Sequence, residues 1–183
     1  MADQHCNSCK ENQRFFRELC KDCFVRDVEK KAKAALTEHG RLPRNCVLVI
    51  REPESLAGKT AQHLLRAILK GFPATITLQQ KKNEEIHEGN NSDWIVQPWL
   101  LEQELDARFT ALLQGRAPVP QHAREIRLLK YISIDELKAF GELHALIGTL
   151  PEPSELVKAL LPLEKRSPGA LGTLARGLKA VQE

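Results

Sequence analysis

Apolar residues recur along this chain with two different periods. Phe24, Val28, Lys31 and Ala35 share one face at helical spacing, and Ala32, Ala34 and Ala35 favour helix, so residues 24–39 are expected to be helical. Gly40 and Pro43 supply the stop. Cys46-Val47-Leu48-Val49-Ile50 is a continuous apolar run of the kind that fills a buried strand of a parallel sheet. Ala61, Leu64, Leu65, Ile68 and Leu69 return to the helical period over about 58–70, and Gly71-Phe72-Pro73 ends that element. Ala74–Leu78 alternates as a second strand, and Trp94-Ile95-Val96 suits a short third. Residues 100–114 read as an amphipathic helix with Leu101, Leu105, Phe109, Leu112 and Leu113 on one side. A short strand fits within 125–131. Ser133 and Glu136 form the capping-box pattern for a helix from Ile134 to about Ile147. Further helices are expected over 154–161 and 170–181.

Between these elements, residues 81–93 are polar and read as a loop or mobile insert, and Pro118 and Pro120 mark a linker over 115–121. Strand, helix and strand followed by more helices imply an α/β fold with a small parallel sheet and flanking helices. No internal repeat is visible.

Composition narrows the class. The chain has 183 residues, 42% hydrophobic and 28% charged, which is ordinary for a globular protein. No apolar run approaches the roughly 18 residues that cross a bilayer. The first nine residues are polar and lack the apolar core of a secretory signal, so a cytoplasmic protein without a membrane role is expected. The net charge of +3 is concentrated: residues 1–44 hold 10 Lys/Arg against 7 Asp/Glu, and the remainder balances. That excess suits contact with a polyanion, or equally a solvated helix face.

The sharpest chemical signal is Cys6-Asn7-Ser8-Cys9, ten intervening residues, then Cys20-Lys21-Asp22-Cys23. Each Cys-x-x-Cys turn aims two thiolates at one point, and four thiolates complete the tetrahedral shell of zinc. A closed shell leaves no position for substrate, so the expected Zn2+ is structural. An iron–sulfur cluster or a redox dithiol are the rival readings of the same pattern. Phe15, Phe16, Leu19 and Phe24 are expected to pack this knuckle onto the following helix, or to stack on nucleic acid. Cys46 reads as a buried small apolar residue.

After the first strand, residues 51–60 lead into a helix in the manner of a phosphate-binding loop, and Gly58-Lys59-Thr60 resembles the end of a Walker A motif. The motif needs a glycine where Pro53 stands, and Pro53 donates no N–H. Glu52 and Glu54 would place negative charge beside a phosphate. Lys59 is thus a weak candidate for nucleotide binding. The six histidines are scattered, and no Gly-x-Ser-x-Gly or His-Glu-x-x-His occurs, so no catalytic set is expected.

Cys20-Lys21-Asp22-Cys23-Phe24 with its basic helix and the apolar strand beyond resembles the cytoplasmic tRNA 2-thiolation protein 2 family. Ile126-Arg127-Leu128-Leu129-Lys130 with Asp135-Glu136-Leu137-Lys138-Ala139-Phe140 resembles that family's late strand–helix segment. Ala170-Leu171 to Gly177-Leu178 resembles the start of its last helix. The resemblance implies a reduced PP-loop α/β fold of the adenine nucleotide alpha hydrolase kind, with a zinc knuckle in front. It implies three segments: a knuckle over 1–25, a basic helix and linker over 26–44, and a degenerate PP-loop-like body over 45–183.

The departures are specific. Residues 51–55 lack the glycines of the catalytic relatives, Leu128 stands where proline is expected, and no cysteine follows Cys46 to supply sulfur chemistry. The resemblance therefore implies a non-catalytic partner of a tRNA wobble-uridine thiolase subunit. It also implies tRNA contacts through Arg14, Arg17, Lys21, Arg26, Lys30, Lys31 and Lys33. An ATP-dependent adenylating enzyme and a zinc-knuckle adaptor for proteins are the alternatives.

Overall fold

The computed structural model describes residues 5–79, 93–116 and 122–182, with side chains up to residue 178. Most of the polar stretch over 81–93 and the core of the 115–121 linker lie outside the described residues. The elements run α1 (Lys21–Glu38), β1 (Cys46–Ile50), α2 (Leu56–Ile68), β2 (Ala74–Leu78), β3 (Asp93–Gln97), α3 (Leu101–Leu113), β4 (Glu125–Arg127), α4 (Ile134–Leu143), α5 (Glu155–Arg166) and α6 (Ala170–Gln182).

The four strands form one parallel sheet in the order β2-β1-β3-β4. β1 is central. Its register sets Leu48 opposite Ile76 on one side and Trp94 on the other. Cys46, Leu48 and Ile50 are buried while Val47 and Val49 are partly exposed, as in a strand with one face fully covered. β2 lies at the edge and is the most exposed strand. The chain leaves β1 toward β2 and continues from β3 toward β4 on the opposite side. A topological switch point therefore opens between β1 and β3 at their carboxyl ends, where α/β proteins hold ligands.

The main core joins Leu48, Ile50, Leu64, Leu65, Ile126, Leu128, Ile132 and Phe140 to Phe24 and Val28 of α1. The knuckle's following helix is thus built into the body through its own apolar stripe. A second cluster, Leu101, Leu105, Leu171, Ala175 and Leu178, packs α6 on α3. Burying a leucine or phenylalanine contributes about 1.5–3 kcal/mol, so the main core supplies most of the apolar stabilisation.

Caps set several boundaries. Gly40 takes φ +97°, the left-handed conformation that lets the chain leave α1. Ser133 Oγ accepts from Glu136 N–H, and the Glu136 carboxylate accepts from Ser133 N–H, the reciprocal capping box expected there. Three expectations differ. α3 buries Leu101 and Leu105, but Leu112 and Leu113 are exposed, the last turn presenting Ala111 to the interior instead. α4 stops at Leu143, and Ala145 at φ +52° turns the chain back toward α2. α5 runs through Pro162 to Arg166 rather than ending at residue 161.

Candidate metal centre and the closed end of the sheet

The knuckle is two turns facing one another. Lys10 N–H donates to Cys6 O at 2.9 Å and Ser8 N–H to the Cys6 sulfur at 3.4 Å, which closes the first Cys-x-x-Cys turn. Lys10 takes φ +63° to leave that turn. A tight reversal then pairs Phe16 with Leu19, with Arg17 at φ +51° between them. Cys20 precedes α1 and Cys23 lies in its first turn, where Phe24 N–H donates to Cys20 O at 2.9 Å. Phe15 and Phe16 pack on Phe24 with ring centroids 5.8 and 4.9 Å apart, so the aromatic residues act as the seam between knuckle and helix.

The four sulfurs lie within 4.8 Å of one another, and Cys9 and Cys20 approach to 3.7 Å. Around a single ion at about 2.3 Å from each thiolate, tetrahedral geometry puts sulfurs about 3.8 Å apart. The set therefore fits one metal ion. Cys6 and Cys20 are buried almost completely. Burial opposes ionisation of Cys6, but backbone N–H groups near its sulfur outweigh that and pull it down to about 6. Ser8 favours the Cys23 thiolate, yet burial and the sulfurs of Cys20, Cys6 and Cys9 push it up to about 11. Thiolates this close repel one another, and a cation at their centre removes the conflict.

The seven basic residues divide into two groups. Arg14 donates to His5 O and Asn7 Oδ1, Arg17 pairs with Glu164 at 2.7 Å, and Lys31 pairs with Asp27 and Glu136 at 2.9 and 2.6 Å. These three hold the fold. Lys21 is exposed beside the Phe15 ring. Arg26, Lys30 and Lys33 are exposed and fall on one face of α1 at i, i+4 and i+7.

The carboxyl end of β1 carries the former candidate loop. Glu52 takes φ +51°, and Gly58 lies so close to it that a Cβ would sit 2.1 Å from Glu52 O. Ser55 caps α2, its Oγ accepting from Gly58 N–H at 2.9 Å. A phosphate at this helix end would need free N–H groups. Here Leu56 N–H donates to Thr149 O at 2.9 Å, and Lys59 Nζ donates to Ile147 O at 2.8 Å. Ser55 and Thr149 form a parallel bridge, and between Ile147 and Thr149 a Cβ on Gly148 would meet Leu56 N at 2.4 Å. The segment after α4 thus lies directly on the amino end of α2. No local pattern announces this contact, because its partners are some ninety residues apart.

No protein-family model matches the chain, and no curated protein matches it. Among solved structures it is similar to the U34-tRNA thiolase NcsA from Methanococcus maripaludis, determined with its [4Fe-4S] cluster. The likeness has a TM-score of 0.72 at 16% identity and covers 100% of this chain and 88% of that one. The chain has the fold of that thiolase. The expected PP-loop-type α/β sheet behind a four-cysteine knuckle is therefore the architecture observed. Among the described residues, no helix is long and apolar enough to cross a membrane.

Proposed function

We propose that this chain is a non-catalytic subunit of a cytoplasmic tRNA wobble-uridine 2-thiolation complex, which supports the thiolase subunit and helps hold tRNA. The observation that carries the reading is the closed amino end of α2. The Ile147 and Thr149 carbonyls take the Lys59 ammonium and the Leu56 N–H. Lone pairs at that position oppose a phosphate, both by occupying the donors and by repelling its charge. Cysteine supply supports the same conclusion. Four of the chain's five cysteines form the knuckle, and Cys46 is buried at the start of β1. None is left over to hold an iron–sulfur cluster outside the knuckle.

The knuckle's role in this reading is structural, and its metal is a single Zn2+. A four-iron cluster seats each thiolate on a different corner and spreads them wider than one ion does. Sulfurs within 4.8 Å of one another suit the single ion. The tRNA contact falls to Arg26, Lys30 and Lys33, with Lys21 at the end of the stripe, as salt-dependent phosphate contacts.

Cells lacking the chain test the reading. Loss of wobble-uridine thiolation, restored by the intact chain and by a Lys59→Ala variant, is the expected result. Co-purification of the chain with a thiolase subunit is expected from the same cells. Thiolation that persists without the chain would remove the proposal, and dependence of rescue on Lys59 would favour an adenylating enzyme instead.

A further inference from the structure

The even charge balance beyond residue 44 hides a lopsided distribution. Residues 39–83 hold 8 Lys/Arg against 2 Asp/Glu, while residues 84–183 hold 11 against 15. No acid lies between Glu38 and Glu52, and none between Glu54 and Glu84. The fold decides where that surplus goes. The loops after α1 and α2 both arrive at the amino end of the sheet, where β1 and β2 start side by side with Cys46 opposite Ala74. Asn45 N–H donates to Pro73 O at 2.7 Å and ties the two loops together. Leu42, Leu69 and Phe72 pack against the main core. Arg41 and Arg44 on the first loop, and Arg66 and Lys70 at the end of α2, are exposed. None of these four has an ion-pair partner among the described residues.

The patch continues the basic face of α1. Beyond Arg26, Lys30 and Lys33 that face ends on exposed Thr37, one turn before Arg41. α1 reaches the amino end of the sheet, since His39 at its C-cap meets the Trp94 ring at the start of β3, with centroids 5.3 Å apart. Two acids of α1 that could cancel the charge face other partners. Asp27 holds Lys31 at 2.9 Å, and Glu38 accepts from Lys130 at 2.6 Å and from the Tyr131 hydroxyl.

We infer that Arg41, Arg44, Arg66 and Lys70 form a second phosphate-binding surface, which carries the sugar–phosphate backbone of an RNA from the α1 stripe onto the amino end of the sheet. This rests on the RNA-binding part of the proposed function and extends it beyond α1. Exposed cations without acidic partners gain most from a polyanion, because each phosphate they neutralise releases a counterion. Three of the four are arginines, whose planar fork matches two phosphate oxygens at once. An acidic protein would need an apolar centre to dock against. Among the described residues, none of the exposed large apolar side chains belongs to α1, α2 or the loops that follow them. The surface also lies at the opposite end of the sheet from the closed amino end of α2. RNA held there stays clear of that closed end, as suits a subunit that holds the RNA for another.

Binding of an unmodified tRNA transcript to the full metal-loaded chain, measured over a range of salt, tests the surface. Arg41→Gln, Arg44→Gln, Arg66→Gln and Lys70→Gln together leave α1 untouched. They should lower affinity about tenfold or more and reduce the slope of log affinity against log salt by about 3. Arg41→Lys, Arg44→Lys and Arg66→Lys together keep the charge and should keep the slope. Both variants should unfold at the parent's midpoint, since all four side chains are exposed. In the parent, bound RNA should slow hydrogen exchange over residues 40–45 and 69–73. A parent that binds the transcript while the four-residue variant keeps its affinity and slope would overturn the inference and leave the α1 contacts standing. A parent that binds no RNA would overturn both. Polyglutamate competing as strongly as the transcript at equal charge would assign the surface to an acidic protein and overturn the inference as well.

Discussion

The metal knuckle and the closed end of α2 are built on opposite principles. The knuckle is local: its four sulfurs come from eighteen consecutive residues, and two short turns bring them together. The closed end is remote in sequence: Ile147 O meets Lys59 Nζ across a separation of 88 residues, and Thr149 O meets Leu56 N–H beside it. A local site can be lost with its turns while the rest persists. A remote contact exists only when the body is folded. The difference separates a site set by the spacing of neighbouring residues from one set by tertiary packing.

The largest effect is expected from breaking the local site. Cys20→Ser removes one of the four thiolates, and on the proposed reading the zinc bound to the purified protein should fall from one equivalent to near zero. The consequence should reach past the knuckle. Arg17 pairs with Glu164, which also accepts from Gly169 N–H and Leu171 N–H at 2.8 and 3.0 Å. Hydrogen exchange should therefore rise at the α5–α6 turn as well as in residues 5–23. Protection unchanged at that turn would show that Arg17 does not couple the two.

Breaking the remote contact comes next. Gly148→Ala places a Cβ 2.4 Å from Leu56 N and 2.7 Å from the Ser55 carbonyl carbon, against backbone that cannot yield cheaply. A loss of about 2–4 kcal/mol in chemical denaturation is expected, in the range of overpacking and strain. The same substitution should free Lys59 and leave metal stoichiometry at one, which separates the two regions.

Glu102 gives a pH signature. Its carboxyl is pushed from an ordinary 4.5 up to about 7, chiefly by burial, with the Ile134 N–H opposing. The folded state therefore holds this proton more tightly than the unfolded chain does. Its stabilising effect is complete below about 4.5 and is lost as pH rises through about 7. Glu102→Gln should flatten that slope and gain on the order of 2 kcal/mol at pH 8. A stability–pH curve identical to that of the parent would contradict the assignment.

The fold was legible where the signal was local. The apolar run of β1, the alternation of β2 and the Ser133–Glu136 capping box were each found where the sequence places them. The cysteine pairs were equally plain, since their spacing is their geometry. Basic residues were less so. Lys31 carries the same charge as Lys30 and Lys33, but the helical turn carries it to Glu136 and an internal ion pair. Composition cannot distinguish those faces without the partner helix. The end of α4, at Leu143 rather than near Ile147, was not legible locally. Its surroundings are tertiary: Leu56 packs against Gly141, and the Ser55–Leu56 backbone packs against Gly148.

The smallest effect is expected on the exposed stripe. Arg26→Glu, Lys30→Glu and Lys33→Glu together should leave stability within about 1 kcal/mol, because none is buried. Affinity for tRNA should fall, and the slope of log affinity against log salt should drop by about 2–3. An unchanged slope would move the RNA contact elsewhere.

The direct test of a closed phosphate site is a calorimetric titration of the metal-loaded chain with ATP and magnesium. No saturable heat attributable to the amino end of α2 is expected, and Lys59→Ala should give the same trace as the parent. Saturable binding that disappears in Lys59→Ala would contradict the non-catalytic reading.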